Sequence, residues 1–264
     1  MVRERAARYS AGMAFDVAAE SYDRFMGRYS MLLAPLMADL ADVSAGQRVL
    51  DVGCGPGALT AELVRRVGAA NVAAVEPSAS FVAAARSRFP DVDVHQASAE
   101  QLPFEDDAFD IAIAQLVVHF MADPVGGLRE MARVTRPGGT VAASVWDHAG
   151  ERGPLSLFWR AARSLEAETI DESRLAGARF GHLAELLREA GLADVEAGEL
   201  TVTREHPSFD EWWEPYTAGV GPAGAYVAQL EPGARDRLRE RCRELLPDAP
   251  FNIESVAWTA RGRA

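Results

Sequence analysis

Lysine is absent from all 264 residues, so every one of the 27 basic side chains is an arginine. That absence excludes a P-loop, which needs a lysine on its phosphates. It also excludes Schiff-base catalysis, which needs a lysine amine, and a protein kinase, which needs its strand lysine. Cysteine is scarce: Cys54 and Cys242 stand far apart, outside any C-x-x-C pair or Cys/His cluster. Neither a zinc site nor a disulfide framework is expected, and a reducing cytoplasm is the expected location. Positive charge is in deficit, with 39 acidic residues against those 27 and a net charge of −12. This balance opposes the phosphate neutralisation that drives nucleic-acid binding, and it disfavours anionic membranes. Long apolar runs are missing too. No segment approaches the ~18 residues of a membrane span, and the opening MVRERAARYSAGMAF has no apolar core of signal-peptide length. The expectation is a soluble protein with no nucleic-acid partner and no membrane insertion.

What is present is an ordinary globular composition, 48% hydrophobic and 25% charged, enough to bury a sizeable core. From Arg48 to Val145 short β-branched runs alternate with amphipathic stretches, the pattern of βα units on a parallel sheet. Strands are expected at 48–52, 71–76, 93–97, 110–117 and 140–146. A helix follows the glycine turn, with Leu59, Leu63, Val64 and Val67 at helical spacing, a second follows the N-cap candidate Ser78, and a third runs from about Pro124 to Val134 before Pro137-Gly138-Gly139 interrupts the chain. Beyond Asp147 the alternation loosens into helices at 154–168 and 182–190, the latter ended by Gly191, and a strand at 196–205. A helical insertion at 208–246 then precedes a final strand at 251–260. In the insertion Leu238, Cys242 and Leu245 share one helical face, and the arginines around them read as a solvated surface. Residues 1–12 read as a loose arm.

The chemistry concentrates at Val49-Leu50-Asp51-Val52-Gly53-Cys54-Gly55-Pro56-Gly57, a strand running through a glycine-rich turn into a helix. Glycines there let a ligand approach the backbone. Gly53, Gly55 and Ala58 also satisfy the G-x-G-x-x-G/A dinucleotide pattern, with Glu76 as the acid about twenty residues on. Asp51 separates the readings, because a carboxylate two residues before the first glycine repels a pyrophosphate and attracts a cation.

With these residues the chain resembles the class I S-adenosylmethionine (SAM)-dependent methyltransferases, in the group similar to ubiquinone/menaquinone-biosynthesis methyltransferases. VLDVGCGPG resembles the family's first motif, and Glu76 falls where an acid holds both ribose hydroxyls. Ser98-Ala99-Glu100-Gln101-Leu102-Pro103-Phe104 resembles its adenine loop, with Ser98 standing where the family usually has Asp. Arg136-Pro137-Gly138-Gly139 resembles the turn before the fifth strand, and Tyr22-Asp23-Arg24-Phe25-Met26-Gly27-Arg28-Tyr29 resembles the helix that closes over the cofactor.

The resemblance implies a Rossmann-like, doubly wound, mostly parallel seven-stranded α/β sheet with an antiparallel last strand and helical lid additions. One methyltransferase domain is expected over 1–264: an N-terminal helical segment to 45, a SAM-binding core at 46–207, the lid at 208–246 and the final strand at 247–264. It assigns SAM to Asp51, Gly53, Cys54, Gly55, Glu76 and Pro77, to Ser98, Ala99 and Glu100, to Gln115 and Leu116, and to Tyr22 and Arg28, the last as partner of the cofactor carboxylate. Cys54 also reads as plain packing, Phe104 as adenine slot or core, and His119 as a general base or a histidine that shapes the pocket. The acceptor is expected to be a small molecule bound by His119, Trp146, Trp212, Trp213 and Tyr216, with no metal required. Methyl transfer would be direct and in line. Two rivals are a catalytically silent SAM-binding module and an NAD-dependent dehydrogenase. The second leaves Asp51 and the adenine-loop match without explanation.

Overall fold

A computed structural model describes residues 19–165 and 172–264. The expected arm at 1–12 and the end of the helix expected at 154–168 lie outside the described residues. The chain enters through helix α1 (Ala19–Tyr22), a π-helical turn (Asp23–Gly27) and α2 (Arg28–Leu40). It then alternates β1 (Val49–Val52), α3 (Ala58–Val67), β2 (Val72–Glu76), α4 (Ala79–Arg88) and β3 (Asp93–Gln96). Next come β4 (Phe109–Gln115), α5 (Pro124–Val134), β5 (Thr135–Trp146), α6 (Ser156–Leu165), α7 (His182–Glu189) and β6 (Ala193–His206). Helices α8 (Phe209–Trp213), α9 (Gly221–Gln229) and α10 (Pro232–Leu245) precede β7 (Phe251–Arg263).

The strands form one sheet in the order β3-β2-β1-β4-β5-β7-β6. The pairings β1–β2, β2–β3, β1–β4 and β4–β5 are parallel, and β7 runs antiparallel to both β5 and β6. The order reverses between β1 and β4, so a crevice opens at the carboxyl ends of those strands. Strand β1 is buried at all four residues, as a central parallel strand covered on both faces must be. Val49, Ile111 and Ile113 point to the side of α2, α3 and α4, where Leu33, Leu63 and Val82 meet them. Leu50 and Ala112 point to the side of α5 and α7, against Leu128 and Leu187. Helix α3 buries Leu59, Leu63 and Val67 at four-residue spacing, each contributing ~1.5–3 kcal/mol by leaving water.

β5 begins five residues earlier than expected. Thr135 already pairs with Phe109, and the ladder resumes at Ile111↔Thr140, so Arg136 to Gly139 bulge out of the strand instead of ending it. A third hydrophobic cluster forms where α6 and α8–α10 enclose Trp212, Tyr216, Phe158 and Leu238 together with Phe25 from the π-helical turn and Phe251 of β7. Among the described residues no helix is long and apolar enough to cross a membrane.

Candidate active site

Side-chain alternation puts Asp51, Gln115 and Trp146, from the ends of three neighbouring strands, on the face that α2 and α3 cover. Asp51 is buried and accepts a hydrogen bond from Thr60 Oγ1 at 2.6 Å, while Gln115 Nε2 donates to the Ser30 carbonyl of α2 at 3.1 Å. Trp146 packs into the same cluster, its indole Nε1 buried without a partner. Burial pushes the Asp51 carboxyl up to about 7, against the lowering influence of the Thr60 hydrogen bond.

The glycine turn is pinned to β2. The N–H groups of Gly53 and Cys54 both donate to the Val75 carbonyl, at 2.8 and 3.0 Å. Gly53 has φ +71°, and an added Cβ would fall 2.5 Å from Val117 Cγ2, so both backbone and space require glycine. Gly55 is also left-handed, but a Cβ there would meet nothing within 4 Å: the turn opens into free space. Beside it, the buried Glu76 accepts Gly55 N–H at 3.0 Å and Ser78 N–H at 2.9 Å. Burial raises its pKa, and those two amides pull it back. Glu76 therefore holds the turn as well as facing it. Burial also pushes the Cys54 thiol well up, which leaves it a packing group rather than a nucleophile.

The N-terminal segment closes over this edge. Tyr22 meets Phe81 edge-on at 5.3 Å and hydrogen-bonds Ser30, its phenol pushed by burial up to about 12. Asp23 forms an ion pair with Arg88 of α4. Arg28 is committed elsewhere: it donates to Phe25 O at 3.2 Å and to Glu211 Oε1 at 2.7 Å. Glu211 Oε2 in turn lies 2.6 Å from His206 Nδ1, and His206 Nε2 lies 2.9 Å from Tyr29 Oη. This network ties α2 to β6 and α8, so the guanidinium expected for a cofactor carboxylate is used to join two layers of the fold.

The remaining expected residues divide. Ala99 is buried under α5, whereas Ser98 and Pro77 are exposed. Glu100 Oε1 accepts the N–H groups of Ala122 and Asp123, at 2.8 and 3.3 Å, and so joins the adenine-like loop to the turn after β4. Phe104 packs edge-on to Phe109 at 4.9 Å, the core alternative. Trp212, Trp213 and Tyr216 are buried in the helical layer, with Tyr216 stacked on Phe158 at 4.6 Å and edge-on to Phe25 at 5.0 Å. The rings of Trp213 and Tyr216 stack at 5.9 Å, so this aromatic surface serves as packing within the layer.

At the end of β4, Leu116 adopts φ +63°, a strained conformation for a leucine, held by its N–H donating to the Ser144 carbonyl at 2.9 Å. The turn leads into a short 3₁₀ helix (Val118–Phe120) that carries His119. The imidazole is buried, its Nδ1 has no partner, and burial together with His148 holds its pKa well below the usual histidine range. Gln115 Oε1 is likewise buried and unpartnered. Sequence reasoning missed Thr60, His148 and Glu172. His148 had a signal, since it follows the carboxyl end of a parallel strand; Thr60 and Glu172 belong to no motif. Two surface clefts, of about 450 and 490 Å³, lie elsewhere, at Thr140, Asp194 and Arg263 and at Asp210, Thr217 and Arg235. They are lined largely by charged surface side chains, and of the site candidates above only Trp213 borders either of them.

A methyltransferase domain matches residues 50–143. The demethylmenaquinone methyltransferase of Paenarthrobacter aurescens is 30% identical over 178 residues, covering 61% of this chain and 68% of that protein. Among solved structures, a candidate methyltransferase from an antibiotic biosynthesis pathway of Anabaena variabilis shares the fold with TM-score 0.60 at 18% identity, covering 89% of this chain and 99% of that one. The candidate methyltransferase solved with the Haloferax volcanii Trm112 methyltransferase activator does so with TM-score 0.58 at 22% identity, over 93% and 95%. The glycine turn and its two carboxylates, Asp51 and Glu76, all lie inside the matched residues, and the chain belongs to the class I SAM-dependent methyltransferases.

Proposed function

We propose that the chain transfers the methyl group of SAM to a small, uncharged or weakly polar acceptor at the carboxyl ends of β4 and β5. The observation that carries this reading is the open Gly55 turn between two buried carboxylates, Asp51 and Glu76. The donor set fits the cofactor: Glu76 can accept from a vicinal diol, Asp51 offers negative charge to a cation, and the orphaned Gln115 Oε1 offers an acceptor to an ammonium. Tyr22, Ala99 and Leu116 supply apolar surface around them. The chemistry supplied by bound SAM is an electrophilic methyl group on a sulfonium.

The chain's own part is alignment, exclusion of water and proton acceptance. His119, uncharged near neutral pH, has a free lone pair or N–H for an acceptor. The N-terminal segment and the helical layer act as one lid within a single domain, supported by the Phe25–Tyr216 contact and the Arg28–Glu211 ion pair. Gly219 and Gly221, both left-handed, flank a hinge between α8 and α9. The net charge of −12 supports a small acceptor over a polynucleotide, and two buried free thiols suit a reducing cytoplasm. Incubation with radiolabelled SAM and a metabolite extract tests the proposal. Label in a small molecule is expected, and label confined to protein or nucleic acid would contradict it.

A further inference from the structure

Three buried polar atoms without partners gather beyond the ends of β4 and β5: His119 Nδ1, His148 Nε2 and Glu172 Oε2. Native interiors rarely leave such atoms unpaired, so three in one place mark a position that something polar visits. The two imidazoles stand 5.6 Å apart between ring centroids, and His148 Nδ1 lies 3.6 Å from Glu172 Oε2. That last distance is within ion-pair range but longer than a hydrogen bond. Catalytic contacts often have this looseness before a substrate is seated.

The backbone presents the pair firmly. Asp147, buried at the end of β5, accepts Gly150 N–H at 2.7 Å and Arg152 Nε at 2.6 Å, closing the turn that carries His148. The Ala149 N–H donates to the Ala178 carbonyl at 3.1 Å, and the Ala178 N–H to the Leu175 carbonyl at 3.1 Å. Leu175 N–H in turn donates to the Glu172 carbonyl at 3.2 Å, so one chain of hydrogen bonds links the two turns. Among the described residues no group of three His, Cys, Asp or Glu side chains is arranged to hold a metal ion.

We propose that His148, oriented by Glu172, joins His119 in receiving the proton of a hydroxyl-bearing acceptor. The inference rests on the methyl-transfer reading of this crevice and names its substrate class. A hydroxyl both donates and accepts, and so can satisfy two facing imidazoles at once, one offering a lone pair and the other an N–H. With Nδ1–H directed at Glu172, His148 presents its Nε2 lone pair. As the acceptor oxygen bonds the methyl carbon, the carbon–sulfur bond breaks and its electron pair stays on sulfur. The hydroxyl proton passes to His148 Nε2 and then to solvent. Glu172 does not meet the acceptor; it is a positioning residue that fixes the tautomer.

The test supplies radiolabelled SAM with 4-substituted phenols and the matched anilines and thiophenols, and follows the imidazoles by ¹⁵N NMR with S-adenosylhomocysteine present. Phenols are expected to take the label. His148→Ala should lower kcat about 100-fold, the scale of a lost general base, with SAM affinity unchanged. Glu172→Gln should lower kcat about tenfold. A folded His148→Ala that turns over phenols normally overturns the proposal, as does label on anilines or thiophenols alone. If none of these acceptors is labelled, or if His148→Ala fails to fold, the NMR decides. Loss of the Nδ1–H tautomer in Glu172→Gln supports the pairing, and unchanged His148 signals overturn it. Failure of SAM to bind the unmutated protein would instead overturn the reading of the crevice itself.

Discussion

The two sides of the crevice differ in how their polar groups are satisfied. On the β1–β2 side, Asp51 has the Thr60 hydroxyl, and Glu76 has two backbone amides. On the β4–β5 side, His119, His148 and Glu172 each keep a buried atom without a partner. The first side draws its parts from one short stretch, Asp51 to Ser78, whereas the second assembles turns after two strands and a segment beyond α6. A frame that is complete before its ligand arrives can hold that ligand in one orientation. A side left incomplete depends on what binds to finish it. We read the first as fixed cofactor recognition and the second, Gln115 apart, as the reactive face.

The largest expected effect challenges whether the helical layer belongs to either side. Trp212 is fully buried within that layer, so Trp212→Ala should cost ~3–5 kcal/mol of stability in urea unfolding. SAM affinity of the folded protein should stay nearly constant; a selective loss of SAM binding with normal stability would put Trp212 at the cofactor. The next tests the rigidity of the first side. Gly53→Ala meets both a left-handed φ and the Val117 methyls, and should cost ~2–4 kcal/mol by the same measurement. An unchanged midpoint would show that the turn gives way.

The smallest sharpens the electrostatics. Burial raises Asp51 to about 7, so the folded chain retains a proton there that the unfolded chain has lost. Stability from this group therefore falls as pH rises from about 4 towards 7, and Asp51→Asn should remove that slope. A cationic ligand favours the ionised form, so SAM should bind about tenfold more tightly at pH 8 than at pH 6, following the ionised fraction around a pKa near 7. Calorimetry at both values checks this, and equal affinities would separate Asp51 from the cation.

Sequence legibility follows the same division. The strand–turn–helix of Asp51 to Val67 is contiguous, so its glycines, its acid and its helical stripe could be read in register, and the parallel sheet followed from repeating that unit. The antiparallel β7 came from the family resemblance and not from periodicity. The Pro137-Gly138-Gly139 interruption looked like the boundary of β5 because a bulge and a loop share the same residues. Arg28 stood within the resembling segment, yet its partner Glu211 lies 183 residues on and no local pattern announces it. Trp212, Trp213 and Tyr216 could be named as candidates, but their burial depends on Phe158 and Phe25, from two distant segments. The His119–His148–Glu172 grouping is legible only once β4 and β5 lie side by side.

The most direct measurement compares Glu76→Ala with His119→Ala, reading SAM affinity by calorimetry and methyl transfer to the identified acceptor in parallel. Glu76→Ala should weaken SAM binding by ~1.5–3 kcal/mol, the scale of hydrogen bonds to a charged group. His119→Ala should leave SAM affinity nearly unchanged and lower kcat. Equal losses of SAM affinity in both variants, or normal turnover by His119→Ala at every pH, would contradict the division between a fixed cofactor side and a reactive acceptor side.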